Sequence, residues 1–162
     1  FYPPAIFFVD GARFQALQSR GFGFEYRKEM YAPAAARVQQ LEAYLAESEP
    51  GHPLFVWMHL FEPHEPYEPP LELQGDGSAR GRYDGEVRYS DRAIGELVRL
   101  FRARKPNGVV IITADHGEEF GDHGGSFHGS TLFDEQVRVP LVFFAPGVVQ
   151  HGQSRAPVEL VD

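Results

Sequence analysis

Residues 113–124 read TADHGEEFGDHG, with four carboxylates (Asp115, Glu118, Glu119, Asp122) and two imidazoles (His116, His123) in twelve positions. They follow directly on the apolar run VVII at 109–112. Adjacent side chains at a strand end reach one cation only if the backbone turns sharply, and Gly117 permits such a turn. One carboxylate oxygen with one imidazole nitrogen suits zinc or manganese, whereas calcium prefers shells of oxygen alone. His123 and His128 add nitrogen donors seven and five residues further along. A solvated acidic turn with surface histidines competes with the metal reading, and spacing alone does not separate them. Glu118, Glu119 and Asp122 then form either a solvated acidic rim or outer partners that orient the histidines.

A second stretch, WMHLFEPHEPY at 57–67, carries His59 and His64. His59 lies inside an apolar run and reads as a core histidine. His64 lies beyond that run between two prolines, which stiffen its loop and suit a residue that must meet a ligand. Taken alone, the segment also reads as a proline-rich surface loop. No nucleophile stands out: the chain has no G-x-S-x-G elbow, no P-loop and no G-x-G-x-x-G, and nothing marks Ser126 or Thr131 as activated.

These residues need a frame. AIFFV (5–9), LFVWMHL (54–60), GVVIIT (108–113) and VPLVFFAPG (139–147) read as strands. The second does not alternate and is expected to be buried on both faces. A short helix is expected around 12–19. Another spans 33–48, opened by Pro33, with Val38, Leu41 and Leu45 on one face. A long helix over about 83–104 has a stripe of Val87, Ile94, Val98 and Phe101, which places Asp91 on the apolar side, where it needs a partner. Residues 61–82 read as an irregular loop, of a length usually tied to function or disorder. Alternating strands and helices predict an α/β fold with a largely parallel sheet flanked by helices. Ligands in such folds bind beyond the carboxyl ends of strands, which groups Asp10, the His59–His64 segment and Asp115–His116 on one edge.

The 162 residues suit one domain, with 43% apolar and 23% charged residues. A net charge of −8 without a basic stripe argues against nucleic acid. An anionic substrate would need a local metal or cationic pocket. Without cysteine there is no disulfide and no thiolate ligand or nucleophile. No apolar run approaches the roughly 18 residues of a membrane span. Both ends read as cut from a longer chain, since AIFFV is already a strand and PVELVD stops after an apolar run.

Four segments in order, PLFVWMHLFEPHEPYEPP, YDGEVRYSDRAIGELV, VVIITADHGEEFGDHG and FHGSTLFDEQVRVPLVFFAPG, resemble the sulfatase family of the alkaline-phosphatase superfamily, with ELVD similar to a further family segment. The resemblance implies an alkaline-phosphatase/sulfatase-like domain over 1–162, incomplete at the N-terminus, and hydrolysis of a small-molecule or glycan sulfate ester. It implies that Asp115 and His116 are ligands of a divalent metal, usually calcium, and that His64 and His128 are catalytic and bind the ester's anionic group. Asp134 and Arg138 fall on positions that hold the fold. The family's acidic pair and its Cys/Ser-x-Pro-x-Arg motif, source of the formylglycine nucleophile, do not occur here. The resemblance therefore implies that the missing N-terminal part of the same domain supplies them, and that the chain alone is inactive. His116 and His128, in place of Asn and Lys, keep open a related phosphodiesterase or a phosphoethanolamine or phosphoglycerol transferase with Zn2+ or Mn2+. A catalytically dead binding module is the alternative from another class. Family habit places such proteins in the periplasm or outside the cell.

Overall fold

The computed structural model describes residues 32–49 and 53–161, together with the backbone of two strands at 5–9 and 26–29. Asp10 and the expected helix at 12–19 lie outside the described residues. Strand β1 (Ala5–Val9) pairs in parallel with β2 (Tyr26–Glu29) on one side and β3 (Phe55–Met58) on the other.

Helix α1 spans Ala34–Glu47, with the extended Pro33 at its N-cap and Ser48 at its C-cap. Pro33 therefore stands one position before the first helical residue, where its missing N–H costs nothing. Leu41 and Leu45 are buried and pack with Tyr44, Leu54, Val56 and Met58, and with Leu97 and Leu100 of the next helix. Val38, expected on the same face, is only half-buried.

Strand β3 departs from expectation. Val56 and Met58 turn toward this core, while Phe55 and Trp57 are 54% and 46% exposed. Among the described residues, this core covers one face of the strand.

Helix α2 runs Ala79–Arg104 and starts four residues earlier than the apolar period suggests. The Ser78 hydroxyl accepts from Gly81 N at 2.9 Å, and Asp76 in turn accepts from the Ser78 amide and hydroxyl. An oxygen-bearing cap of this kind satisfies one of the orphan donors of the first turn. At the far end Arg104 Nη2 donates to the carbonyls of Leu45 and Ser48, joining the C-terminal turns of the two helices. The buried face carries Gly85, Glu86, Ser90 and Ala93. Asp91 is exposed and Val87 is 42% exposed, so the stripe lies one position away from the expected one. The cause is the partner surface. The first half of α2 meets the polar backbone of the 62–73 loop, so hydrogen-bonding side chains face inward there.

Strand β4 (Val110–Thr113) pairs antiparallel with β7 (Leu141–Phe144), and β5 (Glu119–Phe120) with β6 (Ser126–Phe127). Helix α3 (Asp134–Val137) is a single turn. A parallel return from β4 would need a long crossover, usually a full helix. The intervening segment holds only that turn and a ribbon. The architecture is α/β, with parallel pairing confined to β1 and its two neighbours, so the one largely parallel sheet expected is not what the described residues form.

Candidate active site

Past β4 the chain enters the acidic segment. Asp115 Oδ1 accepts from His116 N at 3.1 Å, and His116 Nδ1 lies 2.9 Å from Gly117 O. That carbonyl can only accept, so the Nδ1 proton sits between them and Nε2 keeps the ring's lone pair. His116 Nε2 and Asp115 Oδ1 are 3.8 Å apart. Gly117 acts differently from expectation. It is absent from the positive-φ glycines, and what it provides is room, since a Cβ there would lie 2.1 Å from Glu135 O. Its amide donates to Gln136 O at 2.8 Å, seating α3 against the segment.

Two of the three neighbouring carboxylates are not a solvated rim. Glu118 and Glu119 are 8% and 1% exposed. Glu118 Oε2 accepts from the Tyr67 hydroxyl at 2.7 Å, and Oε1 lies 3.0 Å from His128 Nδ1. Glu119 Oε1 accepts from the amides of His123 and Gly125, and Oε2 from Gln136 Nε2 at 2.8 Å. These bonds, the Gly125 amide foremost, hold the Glu119 carboxyl below its ordinary range. Asp122 is exposed and accepts from Phe120 N at 3.3 Å.

Folding back over Glu119 brings three imidazoles together. The His128 ring stacks on His116 at 3.8 Å, and His64 meets His128 edge-on at 5.3 Å. His64 Nδ1 lies 2.8 Å from Glu65 O, and Phe61 stacks on the His64 ring at 4.5 Å. Thus His64, His116 and His128 share one site with the exposed Asp115, although β3 and β4 do not pair. His59 is half-buried in the approach to this loop. Asp134 and Arg138 are exposed, and nothing among the described residues explains a fold-holding role for them.

Sequence reasoning missed the residue that holds the His64 loop. Glu86 accepts from His64 N at 3.0 Å and Glu68 N at 2.7 Å, and Ser90 donates to Glu62 O. Burial raises the Glu86 carboxyl above its usual value, against these amide bonds. The i, i+4 spacing of Glu86 and Ser90 is the one signal that could have identified this face.

Two donor groupings bear on metal binding. Asp115 and His116 offer an oxygen and a nitrogen 3.8 Å apart, with His116 Nδ1 engaged by Gly117 O and Nε2 left as the donor, a set that fits a divalent cation. Donor atoms of His64, Glu65 and His128 also lie within 4.8 Å of one another. In that group Glu65 Oε2 approaches His64 Nδ1, which the Glu65 carbonyl already engages, so it is less ready to ligate. Glu119, His123 and Glu135 converge as well, but His123 Nδ1 is taken by Glu135 Oε1 at 2.5 Å. That contact raises the His123 pKa, and Phe133 stacks on the ring at 3.7 Å, so this group closes the loop.

The sulfatase family model matches residues 8–162. N-acetylgalactosamine-6-sulfatase of Sus scrofa is 31% identical over 112 residues, covering 63% of this chain and 21% of that protein. Iduronate 2-sulfatase of Homo sapiens is 35% identical over 85 residues, covering 51% and 15%. The chain thus spans about a fifth or less of the length of these relatives. Among solved structures, the C-terminal periplasmic domain of EcEptC from Escherichia coli in complex with Zn superposes with a TM-score of 0.73 at 18% identity, over 88% of this chain and 49% of that one. Ps i-CgsB superposes with a TM-score of 0.58 at 14% identity, over 91% and 45%. At these identities the superpositions speak for the fold, and the family match over nearly all of the sequence speaks for descent: the chain belongs to the sulfatase family of the alkaline-phosphatase superfamily.

Proposed function

We propose that this chain is part of the catalytic domain of a metal-dependent sulfuric ester hydrolase. The observation that carries the reading is the convergence of His64, His116 and His128 beside Asp115. Asp115 Oδ1 and His116 Nε2 would hold a divalent cation. Such a cation, when bound, polarises the ester and stabilises the charge that develops on its oxygens. His64 and His128 are the groups that bind the anionic sulfate. A protonated imidazole donates a hydrogen bond from Nε2 to the leaving oxygen, or gives up that proton as the bond breaks. These local donors let a protein of charge −8 take an anion. The nucleophile and the remaining ligands come from residues outside these 162, so the isolated chain has no turnover.

A second reading within the superfamily is phosphoryl-group transfer or phosphodiester cleavage. It is supported by the oxygen-plus-nitrogen pair of Asp115 and His116, which suits zinc or manganese, and by the fold shared with a zinc-bound EcEptC domain. The test is the full-length protein assayed with an aryl sulfate and with an aryl phosphodiester, before and after chelation. The sulfatase reading expects chelator-sensitive release from the sulfate, with kcat lowered roughly 10²–10⁴-fold in His64→Ala and in His128→Ala. Turnover of the phosphodiester alone would overturn it in favour of the second reading.

A further inference from the structure

We propose that Glu118 is the positioning residue of His128: the buried carboxylate fixes the ring as its Nδ1–H tautomer, and Tyr67 anchors the carboxylate from the other side. The inference rests on the role given to His128 above, and adds how the ring is made ready for it.

The Glu118 side chain is only 3% exposed, and each of its oxygens has a separate partner. Oε2 is held by the Tyr67 hydroxyl at 2.7 Å and Oε1 by His128 Nδ1 at 3.0 Å. Burial first, then the bond to Glu118 and its charge, push the Tyr67 hydroxyl well above its usual range, so Tyr67 stays a donor. With Oε2 accepting from Tyr67, Oε1 is left as the acceptor in the 3.0 Å contact, and the proton there belongs to His128 Nδ1. The lone pair, or a second proton, is then confined to Nε2. Tyr67, Tyr83 and Phe120 contact one another at 5.1–5.9 Å and form the wall behind the carboxylate. Rotation of the His128 ring is opposed from its face by His116. The Glu118 contact engages one nitrogen of the imidazole and leaves the other for the site.

The experiment reads the His128 tautomer in the full-length protein by long-range nitrogen–proton NMR, at a pH where the ring is neutral, alongside kcat, KM and metal content. The wild-type ring is expected as Nδ1–H. Glu118→Gln can turn an amide N–H toward Nδ1, so the ring should shift toward Nε2–H while kcat falls about 10–100-fold at unchanged metal content. Tyr67→Phe leaves the carboxylate in place and should keep the tautomer, with a loss of about tenfold or less. A wild-type ring found as Nε2–H overturns the proposal without any variant, which covers the case of Glu118→Gln failing to fold. So does a folded Glu118→Gln protein whose tautomer is unchanged, whatever its rate. His128→Ala separates this from the functional reading: if removing the ring leaves kcat intact, that reading fails, while the tautomer still decides what Glu118 does.

Discussion

The imidazole of His128 lies flat against that of His116, with centroids 3.8 Å apart and planes inclined by 22°. They are twelve positions apart, and the intervening loop returns because Glu119 gathers two of its amides and a side chain of α3. The proposed metal-binding imidazole and the proposed anion-binding one are thereby fixed in van der Waals contact. A single bound ester would face both.

Asp115 separates metal binding from stability. Its side chain is 67% exposed and its one described hydrogen bond is to the next residue, so Asp115→Ala should change stability by less than about 0.5 kcal/mol. Loss of outer partners of a metal ligand typically costs about 10–100-fold in affinity, so loss of a ligand itself should exceed about 100-fold. Metal content of the full-length protein by elemental analysis, paired with thermal melts, checks both halves. Unchanged occupancy would remove Asp115 from the ligand set.

Gly117→Ala tests the opposite balance. The added methyl group meets the Glu135 carbonyl, a backbone atom with little freedom to retreat, while the amide of residue 117 is bonded to Gln136 O. Overpacking of this kind costs about 1–3 kcal/mol. For a domain of this size each kcal/mol lowers Tm by roughly 2–4 °C. An unchanged Tm would mean that α3 moves aside at no cost.

Glu86 gives a pH signature. Burial raises its carboxyl in the folded chain, so the folded state binds this proton more tightly than the unfolded one. The resulting contribution is fully present below the unfolded value of about 4.5 and is lost as pH rises through the raised folded value. Glu86→Gln removes that slope. It also turns an NH2 toward one of the two loop amides, which should cost about 1–3 kcal/mol. Urea unfolding of both proteins across this window is the measurement; equal slopes would show that Glu86 does not titrate there.

Much of the frame was legible locally. The period of the apolar residues located α1 to within a residue, and β1 matched its expected bounds, because both signals depend only on near neighbours. Asp115 and His116 stand out for the same reason: their geometry is set within three residues of each other. The stripe on α2 was displaced because a polar loop, invisible to periodicity, packs on it. For that reason the buried carboxylate is Glu86 and the exposed one Asp91.

By itself the sequence determined the four main strands, the two long helices, the donor types and the family, all of which rest on local pattern and on order along the chain. Tertiary structure alone decided which carboxylates are buried, that β4 pairs antiparallel with β7, and that Gly117 serves by the space it leaves. It also decided that His64, 64 positions before His128, meets it at 5.3 Å. Such choices depend on what a distant segment places opposite a side chain, and on hydrogen bonds that form only when both segments have left water.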